Sequence, residues 1–469
     1  MIRRPLVLAL VVALLPAVAS AEDLLQTYEL ARNGDPQLSA AESSRLATKE
    51  GAVQARAALL PSLTGAATLS KSRNTAPSFT DNSDPTNPVE VAGNLTTETT
   101  TRSYGVDLRQ MVYDRSRFTT LKSRNALSQA ADFQLESAGD TLITRTSAAY
   151  FNVLVQLETL AAAEAAETAL KKQFDYASKR LEVGLAPITD VHEARAQYDN
   201  ARANTILVRN AVEDAYQALS EITGQPIRNL KGLPDDFKPA LPESQGVEGW
   251  VQTAIENNPA LRAKEFQVQS AEADVETARS GHWPTLYLTG GYDKSKSWTD
   301  RTFGGNTFES DSEGRGPNLG ITLSVPIFAG GATQSGVRQA LAQRDVAGDE
   351  LEQQKRALVR NARNAYQTLV AGVSEVEARR LALVSARSAY EASQVGLEVG
   401  TRTVLDVLIN QQNLFTAQQA YAQAKYNYLQ NRLLLEQAAG TLDVADVQDI
   451  NRLLTAEPAT KFDPSGGQN

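Results

Sequence analysis

Apolar and polar residues follow two different periods along this chain. Leu319, Ile321, Leu323, Val325 and Ile327 alternate with Gly320, Thr322, Ser324 and Pro326, and a period of two marks a β-strand. Val106, Leu108 and Val112 alternate in the same way with Asp107, Arg109 and Met111, and Leu286, Leu288 and Tyr292 with Tyr287 and Thr289. Strands are therefore expected at about 61–71, 102–113, 284–297 and 317–328. Such alternation is either the half-buried face of a soluble sheet or, in an exported chain, lipid on one side and water on the other. Between the strand regions the chain is proline-free from Pro88 to Pro187 and from Pro326 to Pro458. Those gaps leave room for helices far longer than the average. A helix from about Arg115 to Leu181 would be roughly 100 Å long. Small residues such as Ala161, Ala162, Ala163, Ala165 and Ala166 are common there, with polar residues dispersed around the circumference. A single coiled-coil seam would instead carry large apolar residues at a and d. The composition suits a helix with close neighbours on both flanks and water on its other faces, as in the wall of a tube.

The chain repeats itself. Asn33-Gly34-Asp35-Pro36 matches Asn257-Asn258-Pro259, and Leu60-Pro61-Ser62-Leu63 matches Trp283-Pro284-Thr285-Leu286, at an offset of 223. After a shorter second loop the offset becomes 216, pairing Tyr150 with Tyr366, Glu182-Val183-Gly184 with Glu398-Val399-Gly400, Asp190 with Asp406, and Gly224 with Gly440. One offset held across several motifs is a tandem duplication. The first repeat covers 22–245 and the second 246–450, with 451–469 as a C-terminal tail expected to be disordered. Each repeat reads as a helical stretch (Leu24 to Leu59; Val247 to Ser280), two strands, and two long helices meeting at a Glu-Val-Gly turn. Two strands per repeat give four per chain, too few to close a membrane barrel, whose smallest examples have about eight. Several chains must contribute. Three would supply a twelve-stranded barrel roughly 24 Å across and a twelve-helix tube roughly 38 Å across, both wide enough for water. Two or four chains also satisfy this arithmetic.

Composition narrows the chemistry. The chain has no cysteine, so disulfides, thiolate metal sites, cysteine nucleophiles and a lipid-anchoring cysteine are excluded. His192 and His282 are its only histidines, which leaves almost nothing from which to build a catalytic triad or a multi-histidine metal site. Neither an enzyme, a metal site nor a cofactor is expected. Arg3 and Arg4, the ten-residue apolar run Leu6 to Leu15, and Ala19-Ser20-Ala21 read as an export signal, residues 1–21, cleaved after Ala21. The remainder carries 44 basic against 55 acidic residues, a charge of −11. An acidic exported chain is no nucleic-acid binder.

In this order, and repeated at one offset, the residues resemble the TolC-like outer-membrane efflux and secretion ducts. The resemblance rests on Tyr150-Phe151-Asn152-Val153-Leu154, Arg180-Leu181-Glu182-Val183-Gly184-Leu185, Ile188-Thr189-Asp190-Val191, Ala194-Arg195-Ala196-Gln197-Tyr198-Asp199, Val399-Gly400-Thr401-Arg402-Thr403, Asp406-Val407-Leu408 and Lys425-Tyr426-Asn427-Tyr428-Leu429. It spans essentially the whole exported chain. It implies a mixed α and β membrane protein: a homotrimer whose twelve strands form one outer-membrane β-barrel, continued by a long periplasmic α-helical barrel with a closed entrance. Residues 225–248 and the C-terminal part would form a belt around the tunnel. The implied function is an exit duct joining inner-membrane efflux pumps or ABC transporters, through periplasmic adaptors, to the outside of a Gram-negative cell. Without a lipidation cysteine, the chain is more similar to the non-acylated secretion and general-efflux branch.

The same resemblance assigns the turns. By themselves, Gly184 and Gly400 end helices where positive φ is needed, and Thr403 with Asp406 reads as a capping-box start; two ordinary helical hairpins would look alike. The resemblance makes Val183-Gly184-Leu185 and Val399-Gly400-Thr401 the motifs met by an adaptor hairpin. It makes Arg402 a tie to Thr189 and Asp190, and Asp406 an acidic ring at the entrance. Two positions depart from the pattern. Ile409 stands where the family has a second aspartate, and Leu397 where a gate tyrosine would bond Asp190. One acidic ring instead of two is expected, with fewer closing bonds.

Two other classes compete. A soluble exported coiled-coil scaffold explains the helices but not four alternating strands at matching positions. A periplasmic hydrolase lacks any His, Cys or paired-carboxylate constellation.

Overall fold

The computed structural model describes residues 23–81, 89–234, 237–241 and 246–456. The expected export signal lies outside them, as does the tail beyond 456. In chain order the elements are α1 (Leu24–Gly34), α2 (Pro36–Ala57), β1 (Ser62–Asp81), β2 (Val89–Tyr113), α3 (Arg115–Glu182) and α4 (Ile188–Thr223). The second half repeats them as α5 (Gly246–Asn257), α6 (Pro259–Arg279), β3 (Thr285–Phe303), β4 (Asn306–Ser324), α7 (Ala332–Glu398) and α8 (Val404–Ala439), followed by α9 (Val444–Leu453). The duplication is visible in single bonds. Asp35 accepts the Leu38 amide through Oδ2 at 2.9 Å, and Asn258, 223 positions on, accepts the Leu261 amide through Oδ1 at 3.1 Å. Each caps the helix that Pro36 or Pro259 opens, because proline at the first helical position has no N–H to satisfy. The helical stretches expected at Leu24 to Leu59 and Val247 to Ser280 are accordingly broken once each, at these prolines.

The chain divides into two compact units, Met1–Arg45 with Ala131–Lys264 and Leu351–Asn469, and Leu46–Ala130 with Glu265–Glu350. The second unit carries the sheet. Its four strands are antiparallel in the order β1-β2-β3-β4, leaving β1 and β4 as unpaired edges. All four exceed the expected lengths at the end far from the helices: β1 runs to Asp81 instead of about 71, β2 begins at Val89 instead of 102, β3 ends at Phe303 instead of 297, and β4 begins at Asn306 instead of 317. The extra length is Thr- and Ser-rich, polar on both faces, so it shows no hydrophobic alternation, yet β-branched threonines favour strands and pair across them. Thr99 meets Thr299 at 3.3 Å and Thr101 meets Ser297 at 3.0 Å. The β3–β4 connection shrinks to Gly304-Gly305, both at positive φ (57° and 84°), the tight hairpin that only such residues form readily. At the near end β4 stops at Ser324, short of the expected 328.

The first unit holds the main core, built on Leu24, Tyr150, Leu154, Leu157, Leu219, Leu429 and Leu433. Three tyrosine hydroxyls fasten the irregular segment after α4 to the helices. Tyr150 donates to the Lys231 carbonyl at 3.0 Å and accepts its amide at 2.8 Å. The Tyr426 hydroxyl accepts the Leu233 amide at 3.3 Å and donates to Glu158 at 2.9 Å, and Tyr428 does the same double duty with Ala240. Gly232 and Ala456 then pair as an antiparallel bridge. Residues 451–456, the first part of the expected tail, are instead structured: α9 runs to Leu453, Leu454 is buried, and chain pairing continues to Ala456.

Candidate functional site: a two-faced sheet and two helical turns

Register sorts the sheet into two faces. Leu63, Leu69, Val106, Leu108, Leu286, Leu288, Tyr292, Leu319, Ile321 and Leu323 share one face, and Leu319, Ile321 and Leu323 are 63–80% exposed within the chain. The opposite face carries Thr64, Ser70, Ser103, Asp107, Asp293, Ser295, Asn318 and Ser324. There Asn318 donates to Asp293 at 3.1 Å. An apolar face of this extent is stable only against lipid or another protein, and the polar face only against water. Among the described residues no helix is long and apolar enough to cross a membrane.

The two helical turns share one backbone solution. In the first, Gly184 takes φ +74°, its amide bonds the Leu181 carbonyl at 2.9 Å, and the Leu185 amide reaches back to Arg180 at 2.8 Å. In the second, Gly400 takes φ +77°, and the Thr401 and Arg402 amides both reach the Gly396 carbonyl, at 2.8 and 3.1 Å. Positive φ is what requires glycine at both, since nothing crowds either one. Val183, Leu185 and Val399 project outward, each about two-thirds exposed.

Beyond the glycines the turns differ. Thr403 caps α8 in a full capping box: its amide and hydroxyl donate to Asp406 Oδ2 at 2.9 and 2.8 Å, and the Asp406 amide donates to Thr403 Oγ1 at 3.2 Å. The Thr403 backbone N–H first, then its hydroxyl, with help from the nearby Arg402 charge, hold the Asp406 carboxyl below the usual carboxylate range. In the first turn Pro187 stands at the cap with no side-chain bond. Asp190 is left with a 3.4 Å contact from the neighbouring Thr189 hydroxyl. Arg402 lays its stem over Gly396, where an added Cβ would stand 2.6 Å from Arg402 Cγ. Among the described residues no carboxylate of the same chain lies within ion-pair distance of Arg402. Ile409 and Leu405 are exposed beside Asp406.

Sequence reading missed a buried charge in the belt. Lys425, whose side chain is 2% exposed, lies 3.3 Å from Glu158, with the Tyr421 and Tyr426 rings 5.1 and 5.7 Å from its ammonium. Lysine between tyrosines on an apolar helix was the available signal; its partner, 267 residues away, was not. A second missed group is Glu436, whose pKa burial pushes up to about 7, with Asp446 and Asp449 adding to the rise and Arg432 opposing it.

A sheet with one lipid-ready and one water-ready face and two open edges fits a membrane duct assembled from several chains. The chain belongs to the outer membrane efflux protein family, whose pattern matches residues 27–225 and 250–441. Outer membrane protein TolC of Vibrio cholerae is 33% identical over 449 residues, covering 95% of this chain and 97% of that protein. The alkaline protease secretion protein AprF of Pseudomonas aeruginosa is 30% identical over 436 residues, covering 92% and 87%. In fold, the chain is similar to the CmeC outer membrane channel of Campylobacter jejuni, with a TM-score of 0.73 at 18% identity, covering 94% and 90%.

Proposed function

We propose that the chain is the exit duct of efflux and type I secretion assemblies, closed at rest by contacts between the two kinds of turn on neighbouring chains. The protein is a non-enzymatic outer-membrane channel of the TolC family; three chains close a twelve-stranded barrel, and their helices form the periplasmic tunnel that periplasmic adaptors connect to inner-membrane pumps or ABC transporters. The observation that carries this is the sheet: four strands with open edges, apolar on one face and Ser/Thr/Asn/Asp on the other. A lone sheet of this kind would leave both edge ladders unpaired.

Within that duct, Arg402 is the closing tie and Asp190, with Thr189, its receiver on the next chain. The support is complementary vacancy: among the described residues no carboxylate of its own chain lies within ion-pair distance of Arg402, whose charge only acts on Asp406 from farther away, and Asp190 is not consumed by a helix cap. A guanidinium–carboxylate bond there is charge-assisted and directional. Asp406 supplies a single acidic ring, and Leu397 and Ile409 add no polar closure. Val183-Gly184-Leu185 and Val399-Gly400-Thr401 form exposed apolar knuckles suited to an adaptor hairpin. The test is the mass of the purified particle in detergent, followed by its conductance in planar bilayers. A trimer with a low-conductance resting state is expected, and a folded monomer would remove the architecture.

A further inference from the structure

The apolar face of the sheet ends abruptly in a basic and aromatic band. Along β4, moving away from the helices, Leu323, Ile321, Leu319 and Pro317 give way to Arg315 and Glu313. Along β3, Leu286, Leu288 and Tyr292 give way to Lys294, Lys296 and Trp298, and along β2, Leu108, Val106 and Tyr104 give way to Arg102. Register places Tyr104 beside Lys294 and Arg315, and Arg102 beside Lys296 and Glu313. These two rows therefore carry four cations and one anion per chain, around a shallow cleft of about 270 Å³ lined by Arg102, Tyr104, Lys294, Lys296, Trp298 and Glu313. Lys294 pairs with Glu313 at 2.9 Å, and Lys296 lies 3.5 Å from Asp311 and 5.3 Å from the Trp298 ring. Arg102 leans over Tyr104 at 5.8 Å. Among the described residues no carboxylate lies within ion-pair distance of Arg102 or Arg315, and both are exposed.

We infer that this band binds the phosphate-bearing headgroups of outer-leaflet lipid. Three observations converge on that occupant. The band continues the lipid-facing surface without a break, so whatever fills it has its acyl chains on Leu319 and Ile321. It lies at the end of the strands opposite the helices, which in an outer-membrane duct with periplasmic helices is the outer-leaflet side. Its charge is net positive, with two guanidiniums unspent and aimed at the height where Tyr104 and Trp298 mark an interface. Arginine forks match phosphate oxygens bidentately. Beyond the row of Thr100, Trp298 and Asp311, the same face turns acidic, with Glu98, Asp300 and Glu309 aligned in register and Glu98 paired to Lys71 and Arg73 of β1 at 3.1 and 3.4 Å. This acidic row lies about 14 Å farther along the strand than the Arg102 row, four residues at ~3.4 Å each, and it bounds the phosphate layer from above. The opposite face at this height, Thr101, Ser103, Ser295 and Ser297, carries no charge at all. The band therefore serves the lipid side.

The inference rests on the outer-membrane duct reading and is tested separately from it. The purified trimer is reconstituted with bis-phosphorylated lipid A or with its phosphate-free form, and retained lipid is counted by native mass spectrometry. Wild type should retain the phosphorylated form at least tenfold better, in a salt-sensitive manner, since each basic side chain near a charged surface adds roughly severalfold. The triple variant Arg102→Gln, Lys296→Gln, Arg315→Gln should lose that preference while remaining trimeric, and Arg301→Gln, on the opposite face, should keep it. Equal retention of both lipids by wild type, an unchanged preference in the triple variant, or an equal loss in Arg301→Gln would overturn the assignment. Channel insertion measured on the same preparation separates the two readings. Its loss would remove the duct, whereas insertion without phosphate preference removes only this band.

Discussion

The two turns at the helix ends are copies that have been given different work. Their glycines, amide bonds and exposed Val-Gly knuckles coincide, and Asp190 and Asp406 occupy equivalent positions 216 residues apart. In the second turn the capping box spends the Asp406 carboxylate on Thr403; in the first, Pro187 caps nothing and Asp190 stays uncommitted. A duplicated aspartate thus divides into one that holds its own helix and one that can hold a neighbour. In the proposed gate the uncommitted copy is the receiver for Arg402, and the committed one supplies charge at the entrance.

The largest effect expected from this division is on ion block. In the proposed gate, three copies of Asp406 around one entrance would focus negative potential, and Ile409 adds no oxygen one helical turn on. Ile409→Asp should tighten trivalent-cation block from the periplasmic side by tenfold or more, and Asp406→Ala should abolish most of the wild-type block. Titrations in planar bilayers that leave both unchanged would place the constriction elsewhere. Next in size, Arg402→Ser and Asp190→Asn should each raise single-channel conductance severalfold. The double variant should add little, because both remove one bond. Additive gains would assign the two residues to separate contacts.

The belt offers a contrast in sign. Folding raises Glu436 to about 7 from an ordinary 4.5, so its unfolded form loses a proton first as pH rises. Stability near α9 is therefore greatest below about pH 4.5 and falls as pH climbs to about 7, by at most ~3 kcal/mol. Hydrogen exchange of α8 and α9 should show that slope, and Glu436→Gln should flatten it. Asp406 runs the other way. Its lowered carboxyl stabilises the start of α8 above its ordinary pKa, and the benefit disappears as pH falls through the lowered folded value. The smallest effect separates charge from cap: Asp406→Asn keeps a capping side chain and Asp406→Ala does not. Only the alanine variant should lose hydrogen-exchange protection at Thr403 to Leu408. Equal loss in both would mean that the box is not what holds this turn.

What could be read from sequence followed from periodicity and repetition. The strand positions emerged where Leu319 to Leu323 alternate, and their outer halves did not, because Thr96 to Thr101 and Ser310 to Gly314 put polar residues on both faces and so carry no hydrophobic alternation. The long helices were fixed by proline-free stretches, and α3 spans Arg115–Glu182 as expected for 115–181. The capping box was legible because its two residues are three apart. The Lys425–Glu158 pair, the tyrosine bonds to the 231–240 segment and the α9 packing were not, since each joins residues whose proximity only the folded chain creates. The different duties of Asp190 and Asp406 were also hidden: the sequence shows two matched aspartates, and only the bonds at Thr403 tell them apart.

The absence of native cysteine makes the gate directly measurable. Asp190→Cys combined with Arg402→Cys, treated on whole cells with a bis-maleimide spanning about the length of an ion pair, should give covalent dimers and trimers on denaturing gels. The duct purified from those cells should stay at its low resting conductance, and neither single variant should form the ladder. Monomers carrying only an internal cross-link, or a full ladder in a duct that conducts freely, would contradict closure by an Arg402–Asp190 tie between chains.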